Sequence, residues 1–236
     1  MVFPVKRVPK IILGFIVCDL LVALLYLANW AIQQPSTKLT RLVDLGGEAN
    51  LPTWYSSVQL FLVAVFLAIF AFAKFERKNK VSWALLPWPL VFLGMSFDEV
   101  ATIHEWLGSR TDALLPGGQR AKSLFGETGV WMLLFGVPFL LLMLGLIYGL
   151  RTYLKGRAHV IKKCMIGLII FAGAALGIEV ISNFVPKQGP ARVLQAFFEE
   201  LGEMVGVTFF LWAAHDLLSS HGFSLSAPGP EAGEPH

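Results

Sequence analysis

The sequence predicts an all-α polytopic membrane protein: a bundle of six transmembrane helices with both termini in the cytoplasm. Three observations carry that expectation. Hydrophobic residues make up 56% of the 236 residues and charged residues only 15%, too little charge to keep the surface of a soluble domain of this size wet. The apolar residues are gathered into six blocks, each near the roughly 20 residues a helix needs to cross the hydrocarbon core. Lysine and arginine fall in the loops between those blocks, unequally on the two sides.

The first block, 11–31, follows Lys6, Arg7 and Lys10 as a secretion signal would. Its apolar run exceeds the ~7–15 residues of a signal's hydrophobic region, so it reads as an uncleaved first span. The remaining blocks are 55–73, 82–105, 128–150, 164–185 and 194–218. One set of span ends carries Lys6, Arg7, Lys10, Lys74, Arg77, Lys78, Lys80, Arg151, Lys155, Arg157, Lys162 and Lys163, twelve in all. The opposite set carries Lys38, Arg41, Arg110, Arg120, Lys122, Lys187 and Arg192, seven in all. The richer set, and with it both termini, is placed in the cytoplasm. Pro87 and Pro89 early in the third block and Pro138 in the fourth predict bends. Gly173 and Gly177 in the fifth block and Gly202 and Gly206 in the sixth stand four apart. That spacing lets membrane helices approach closely and predicts a tight hairpin of the last two spans. Residues 224–236 are rich in Pro, Gly, Ala and Glu and are expected to form a disordered cytoplasmic tail, leaving 1–223 as a single transmembrane domain.

Several function classes drop out. The net charge of +3 does not point to nucleic acid, because the basic residues sit in short loops rather than on one face. Cys18 and Cys164 have neither metal-site nor disulfide spacing and read as packing residues. No internal repeat supports an inverted-repeat transporter, and no HExxH, GxSxG, Walker or dinucleotide motif occurs.

The informative feature is where the acids go. The third block ends with Asp98, Glu99, His104 and Glu105; the fifth carries Glu179 and Asn183; the sixth opens with Gln195, Glu199, Glu200 and Glu203. All fall in the outer half of the expected bundle, and the loop before span two adds Glu48 and Asn50. On a continuous helix at ~100° per residue, Asp98, Thr102 and Glu105 share a face, with His104 beside it and Glu99 turned away. Gln195, Glu199 and Glu203 form a second stripe, with Glu200 beside it, and Glu179, Ser182 and Asn183 a third. Stripes of like sign at like depth repel unless protons or a cation intervene. A set of oxygens with one histidine suits a divalent metal, with Asp98, His104, Glu179, Glu199 and Glu203 as ligands and Glu105 or Glu200 as general base. Fe, Mn, Mg, Ca and Zn are all compatible with such a set. The plainer alternative is that the outermost acids simply meet water at the interface. The Glu-x-x-His pairs of carboxylate-bridged dimetal bundles are absent. Asp19, in the middle of the first block, is the other outlier, readable as a proton carrier, a supporting partner of the cluster, or a protonated acid bonded to a hydroxyl.

Three function classes follow. One is a metal-dependent membrane enzyme, hydrolase or oxidoreductase, acting on a lipid or lipid-linked substrate. The second is a proton- or cation-coupled transporter using Asp19 and Glu203. The third is a non-catalytic sensor or assembly component of the membrane. The bilayer is the expected partner, and the sequence does not give an oligomeric state.

Three signatures carry a resemblance: Glu48-x-Asn50-x-Pro52-Thr53-Trp54; Ser96-x-Asp98-Glu99 with His104-Glu105; and Glu199-Glu200-x-x-Glu203-Met204-x-Gly206. As a set they resemble a group of bacterial multipass inner-membrane proteins with no assigned activity, which implies a bacterial inner (plasma) membrane location and no particular chemistry. Ser96, Asp98 and His104 also resemble part of the alkaline ceramidase pattern, but its His-x-x-x-His element is missing, and His215 and His221 lie at the opposite end of the bundle.

Overall fold

The computed structural model describes residues 8–115, 126, 131–186 and 188–222. Among these there is no strand, and six helices are long and apolar enough to cross a membrane. The expected tail (224–236) and residues 128–130 of the fourth block lie outside the described residues.

Span one is α1 (Lys10–Ala31). Gln33 and Gln34, both left-handed, turn the chain into the short helix α2 (Thr37–Val43), which Asn29 holds by donating to Thr40 Oγ1 at 3.2 Å. Span two is α3 (Leu51–Lys74), with Pro52 in its first turn, where a missing N–H costs nothing. Span three begins as a 3-10 turn (Lys80–Leu85) and becomes α4 (Pro87–Ala101). Span four opens with a π-helical turn (Met132–Gly136) and continues as α6 (Val137–Gly149), after a separate surface helix α5 (Ile103–Thr111). Pro138 cannot donate to the ladder, and the helix is widened over the turn before it. After α7 (Arg151–Leu154), span five runs through α8 (Ala158–Ala172), a second π turn (Gly173–Ile178) and α9 (Glu179–Ser182). Span six is α10 (Pro190–Ser219).

One expectation is overturned here. The third block does not run as a single helix to residue 105. It stops at Ala101, because Thr102 takes a left-handed conformation (φ 51°, ψ 39°), and α5 starts afresh. A left-handed backbone is costly for a β-branched residue. The shared face of Asp98, Thr102 and Glu105 therefore does not exist, and His104 is swung back toward Asp98.

Spans two and six are the most deeply buried and the others wrap around them. Their apolar faces meet those of the third, fourth and fifth spans in one core built around Leu60, Val63, Phe70, Phe92, Phe210 and Leu211. Polar ties fix the register. Ser57 donates to the Ser96 carbonyl at 2.8 Å and Ser96 to the Ser57 carbonyl at 2.9 Å, stapling span two to span three. Trp88 Nε1 donates to the Leu146 carbonyl at 3.2 Å, joining spans three and four. Interhelical bonds of this kind contribute ~0.6 kcal/mol each on average in a membrane.

The expected tight hairpin of spans five and six forms, but only half the expected glycines make it. A Cβ on Gly206 would stand 2.7–2.9 Å from Phe171 Cβ, N and Cα, one on Gly202 2.7 Å from Ala174 Cβ, and one on Gly167 2.9 Å from the Gly206 carbonyl. Gly173 and Gly177 have nothing within 4 Å. The π turn starting at Gly173 shifts the phase of the helix, so Gly167, Phe171 and Ala174 supply the span-five side of the contact. Gly206→Ala is expected to cost roughly 1–3 kcal/mol by overpacking against backbone, whereas Gly173→Ala should stay within ~0.5 kcal/mol. Reversible unfolding in mixed micelles measures both.

Candidate functional site

With alternating spans, the bundle has an end rich in acids and an end rich in bases. At the basic end Lys163 pairs with Asp216 at 2.5 Å and lies 3.9 Å over the Trp212 ring. The candidate site is at the acidic end and is assembled from three pieces of chain.

The first piece is the loop 44–50. Asn50 caps α3, its Oδ1 accepting from the Thr53 N–H at 3.1 Å, while its Nδ2 donates to the carbonyls of Asp44 and Gly47, both at 2.6 Å. Asn50 is thus spent on folding the loop, and the loop presents Glu48, which is exposed at the bundle end. Partial burial, with the Glu105 carboxylate second, raises the Glu48 carboxyl above the usual carboxylate range.

The second piece is the break at Thr102. The Asp98 carboxylate closes over it, accepting from the His104 N–H through Oδ1 at 2.8 Å and meeting His104 Nδ1 through Oδ2 at 2.9 Å. Asp98 does for α5 what an N-cap does, and it fixes the imidazole as well. The hydrogen bond that His104 donates to the Asp98 carboxylate is the largest influence on the imidazole and raises its pKa above the ordinary histidine value, against partial burial. Trp131 packs its ring 5.8 Å from that imidazole. With Nδ1 engaged, Nε2 is the nitrogen left open to a ligand.

The two pieces meet. One ring nitrogen of His104 and one carboxylate oxygen each from Glu48 and Glu105 lie within 4.8 Å of one another, the one such group of three or more among the described residues. The other expected ligands fall elsewhere. Asp98 stands behind His104. Glu179, Glu199 and Glu203 are not in this group.

The third piece is the outer part of span six. Gln195 bridges Arg192 and Glu199, and Glu199 faces Glu179 across the span five–six hairpin. Glu200 has Glu99, Glu199 and Glu48 among its electrostatic neighbours, and Glu203 has Glu200 and Glu99. Glu99, turned off the Asp98 side of α4, is therefore the acid that links the outer group to span six. Asn183 donates to the Val180 carbonyl at 3.0 Å, one turn beyond Glu179.

Asp19 belongs to a different place. It is fully buried and accepts from Tyr55 Oη at 2.6 Å, Gln59 Nε2 at 2.8 Å and Thr208 Oγ1 at 2.8 Å. Gln59 and Thr208 were not singled out from sequence. The available signal was Tyr55 and Gln59 standing four apart on one face of span two.

Fold and site together define a multipass helical membrane protein with a histidine–carboxylate group at one end of its bundle. Residues 14–217 match the Domain of unknown function (DUF8692), and the chain belongs to that family. It is also similar to PXMP2/4 family protein 2 of Dictyostelium discoideum, 32% identical over 75 residues, which cover 31% of this chain. The matched segment spans 37% of that relative's length. No solved structure matches the chain.

The His104–Asp98 pair carries a pH signature. A histidine whose folded pKa is raised stabilises the fold fully below its unfolded value, and that contribution is lost as pH rises through the folded value. In chelator-treated protein, stability is expected to fall as pH rises from the ordinary histidine pKa through the raised one. Asp98→Asn should flatten the trend. Chemical unfolding across a pH series reads both; an identical slope in the variant would refute the pairing.

Proposed function

We propose that the acidic end is a divalent-metal centre, held by Glu48, His104 and Glu105, in a membrane-embedded metal-dependent enzyme that acts on a lipid or lipid-linked substrate. The observation that supports this most is the locked imidazole. A carboxylate on Nδ1 is the usual second partner of a metal-binding histidine, fixing its tautomer and aim, and two carboxylates converge beside it. Two carboxylates and one imidazole suit Mn²⁺, Fe²⁺ or Zn²⁺ better than an all-oxygen ion such as Mg²⁺ or Ca²⁺. A metal in such a site lowers the pKa of bound water or polarises a substrate oxygen.

In this reading the chain's own residues divide the work. Asp98 holds and orients His104. Glu48 and Glu105 supply negative ligands at the membrane boundary. Glu200, on span six and outside the three-residue group, serves as the general base. Exposed Trp54, Phe97, Trp106 and Phe184 surround this end of the bundle, as expected of a site that meets lipid at headgroup depth. The excess of basic residues at the opposite end supports an outward-facing acidic end with both termini in the cytoplasm, and the resemblance of the three signatures to bacterial inner-membrane proteins supports that membrane as the location.

Metal analysis of the purified full-length protein tests the proposal. About one Mn, Fe or Zn per chain is expected, lost on Glu48→Gln combined with His104→Ala. Asp98→Ala should weaken affinity ~10–100-fold, since it removes the orienting partner and no ligand. No stoichiometric metal after loading and dialysis, or unchanged affinity in the double variant, would sink the reading.

A further inference from the structure

The buried carboxylate of Asp19 lies away from the Glu48–His104–Glu105 group, and nothing in the metal reading uses it. We propose that Asp19 is a proton-binding site, a carboxyl that takes up and releases a proton within the bundle while its three partners keep their places.

The first support is the bookkeeping of hydrogens. Six polar contacts link the group. Tyr55 Oη reaches the Phe15 carbonyl at 3.1 Å and Asp19 Oδ1 at 2.6 Å. Gln59 Nε2 reaches Asp19 Oδ1 at 2.8 Å, Tyr55 Oη at 3.1 Å and Thr208 Oγ1 at 2.9 Å. Thr208 Oγ1 reaches Asp19 Oδ2 at 2.8 Å. The two hydroxyls and the amide supply four hydrogens between them. The set is short of hydrogens, and Gln59 Oε1, fully buried, receives none.

The second support is space. Oxygens 2.6–2.8 Å apart are spaced for one shared hydrogen. A metal ion would stand about 2.0–2.6 Å from each oxygen and would push the group open, and the amide nitrogen of Gln59 points at the carboxylate, where a cation would sit. A proton is the cation that fits.

The third is charge. Among the described residues no basic side chain pairs with Asp19. Tyr55 on α3 is the titratable group touching it. Its neighbour Cys18 is exposed on the outside of α1. On α10, Glu199, Glu200 and Glu203 lie toward the acidic end, and Asp216 is paired with Lys163 at the other. Lys10 and Lys74 stand at the basic ends of α1 and α3, and Lys38 and Arg41 lie on α2. A lone carboxylate in the interior of a bundle is neutralised most cheaply by a proton.

Protonation needs no side chain to move. An O–H bond forms at Asp19 Oδ1 and its hydrogen points to Tyr55 Oη. The tyrosine hydroxyl then turns its own hydrogen to the Phe15 carbonyl, already 3.1 Å away, while Thr208 goes on donating to Oδ2. Loss of the proton runs the same steps backward. Because the carboxyl joins spans one, two and six, its charge state acts on how those spans pack.

Infrared titration of the full-length protein in nanodiscs tests this. The acid-minus-alkaline difference spectrum should contain a protonated-carboxyl C=O band that moves to lower frequency in D₂O and is lost in Asp19→Asn. Tyr55→Phe and Thr208→Val should each shift the same band, which keeps the test decisive if Asp19→Asn does not fold. Persistence of every carboxyl band in Asp19→Asn would overturn the proposal. So would a band lost in Asp19→Asn that never changes across the titration, or no shift in both Tyr55→Phe and Thr208→Val.

Discussion

A buried carboxylate held by donors from two other helices is the constraint around which this bundle is arranged. Asp19 on span one is met by Tyr55 and Gln59 from span two and Thr208 from span six. Removing one partner of a buried charged hydrogen bond costs several times more than the bond's net worth, because the remaining group keeps its desolvation penalty. Apolar contacts between membrane helices tolerate sliding, since lipid is as apolar as leucine; this group does not. It sets the depth of α1 against α3 and of both against α10. With Thr208 placed, Glu203 and Glu200 are carried up span six toward Glu99 on α4. The Ser57–Ser96 staple, two residues before Gln59 on the same span, brings α4 to its place on the other side.

The acidic end is thus built from elements whose positions are decided deeper in the bundle. Spans two and six deliver the floor of the site; the loop before span two and the short helix α5 deliver its outer wall. The division matters chemically. The acids on span six are fixed to a long buried helix, whereas Glu48, His104 and Glu105 ride on short segments held by caps: Asn50 for one, Asp98 for the other.

Six apolar blocks were readable because bilayer thickness imposes a length that few other structures share, and the helices found at Lys10–Ala31 and Pro190–Ser219 enclose the expected first and last blocks. The acidic cluster was readable because charge in apolar surroundings stands out. The break at Thr102 was not, since a left-handed β-branched residue has no composition signal, and no glycine or proline marks the place. That one dihedral pair changed the partners of the residues on either side of it: Asp98 and His104, six apart, are far apart on a helix and bonded across a break. The helical phase of span five failed for a related reason, because a π turn adds a residue to the ladder without any mark except a glycine-rich stretch. Gln59 and Thr208 went unnoticed because one amide and one hydroxyl in long apolar helices look like background until a carboxylate is placed between them.

Thr102 has a mechanical consequence. Because α4 ends there, His104 and Glu105 are joined to α4 through a single pivot and through Asp98, and His104 also meets Trp131 at the start of span four. Glu48 is attached through the start of span two. A bilayer that is thinner or thicker than the apolar length of the bundle is accommodated by tilt of the spans, and tilt of α4 relative to α3 alters the gap between those two attachment points. The spacing of Glu48 from His104 and Glu105 therefore follows the angle between α3 and α4.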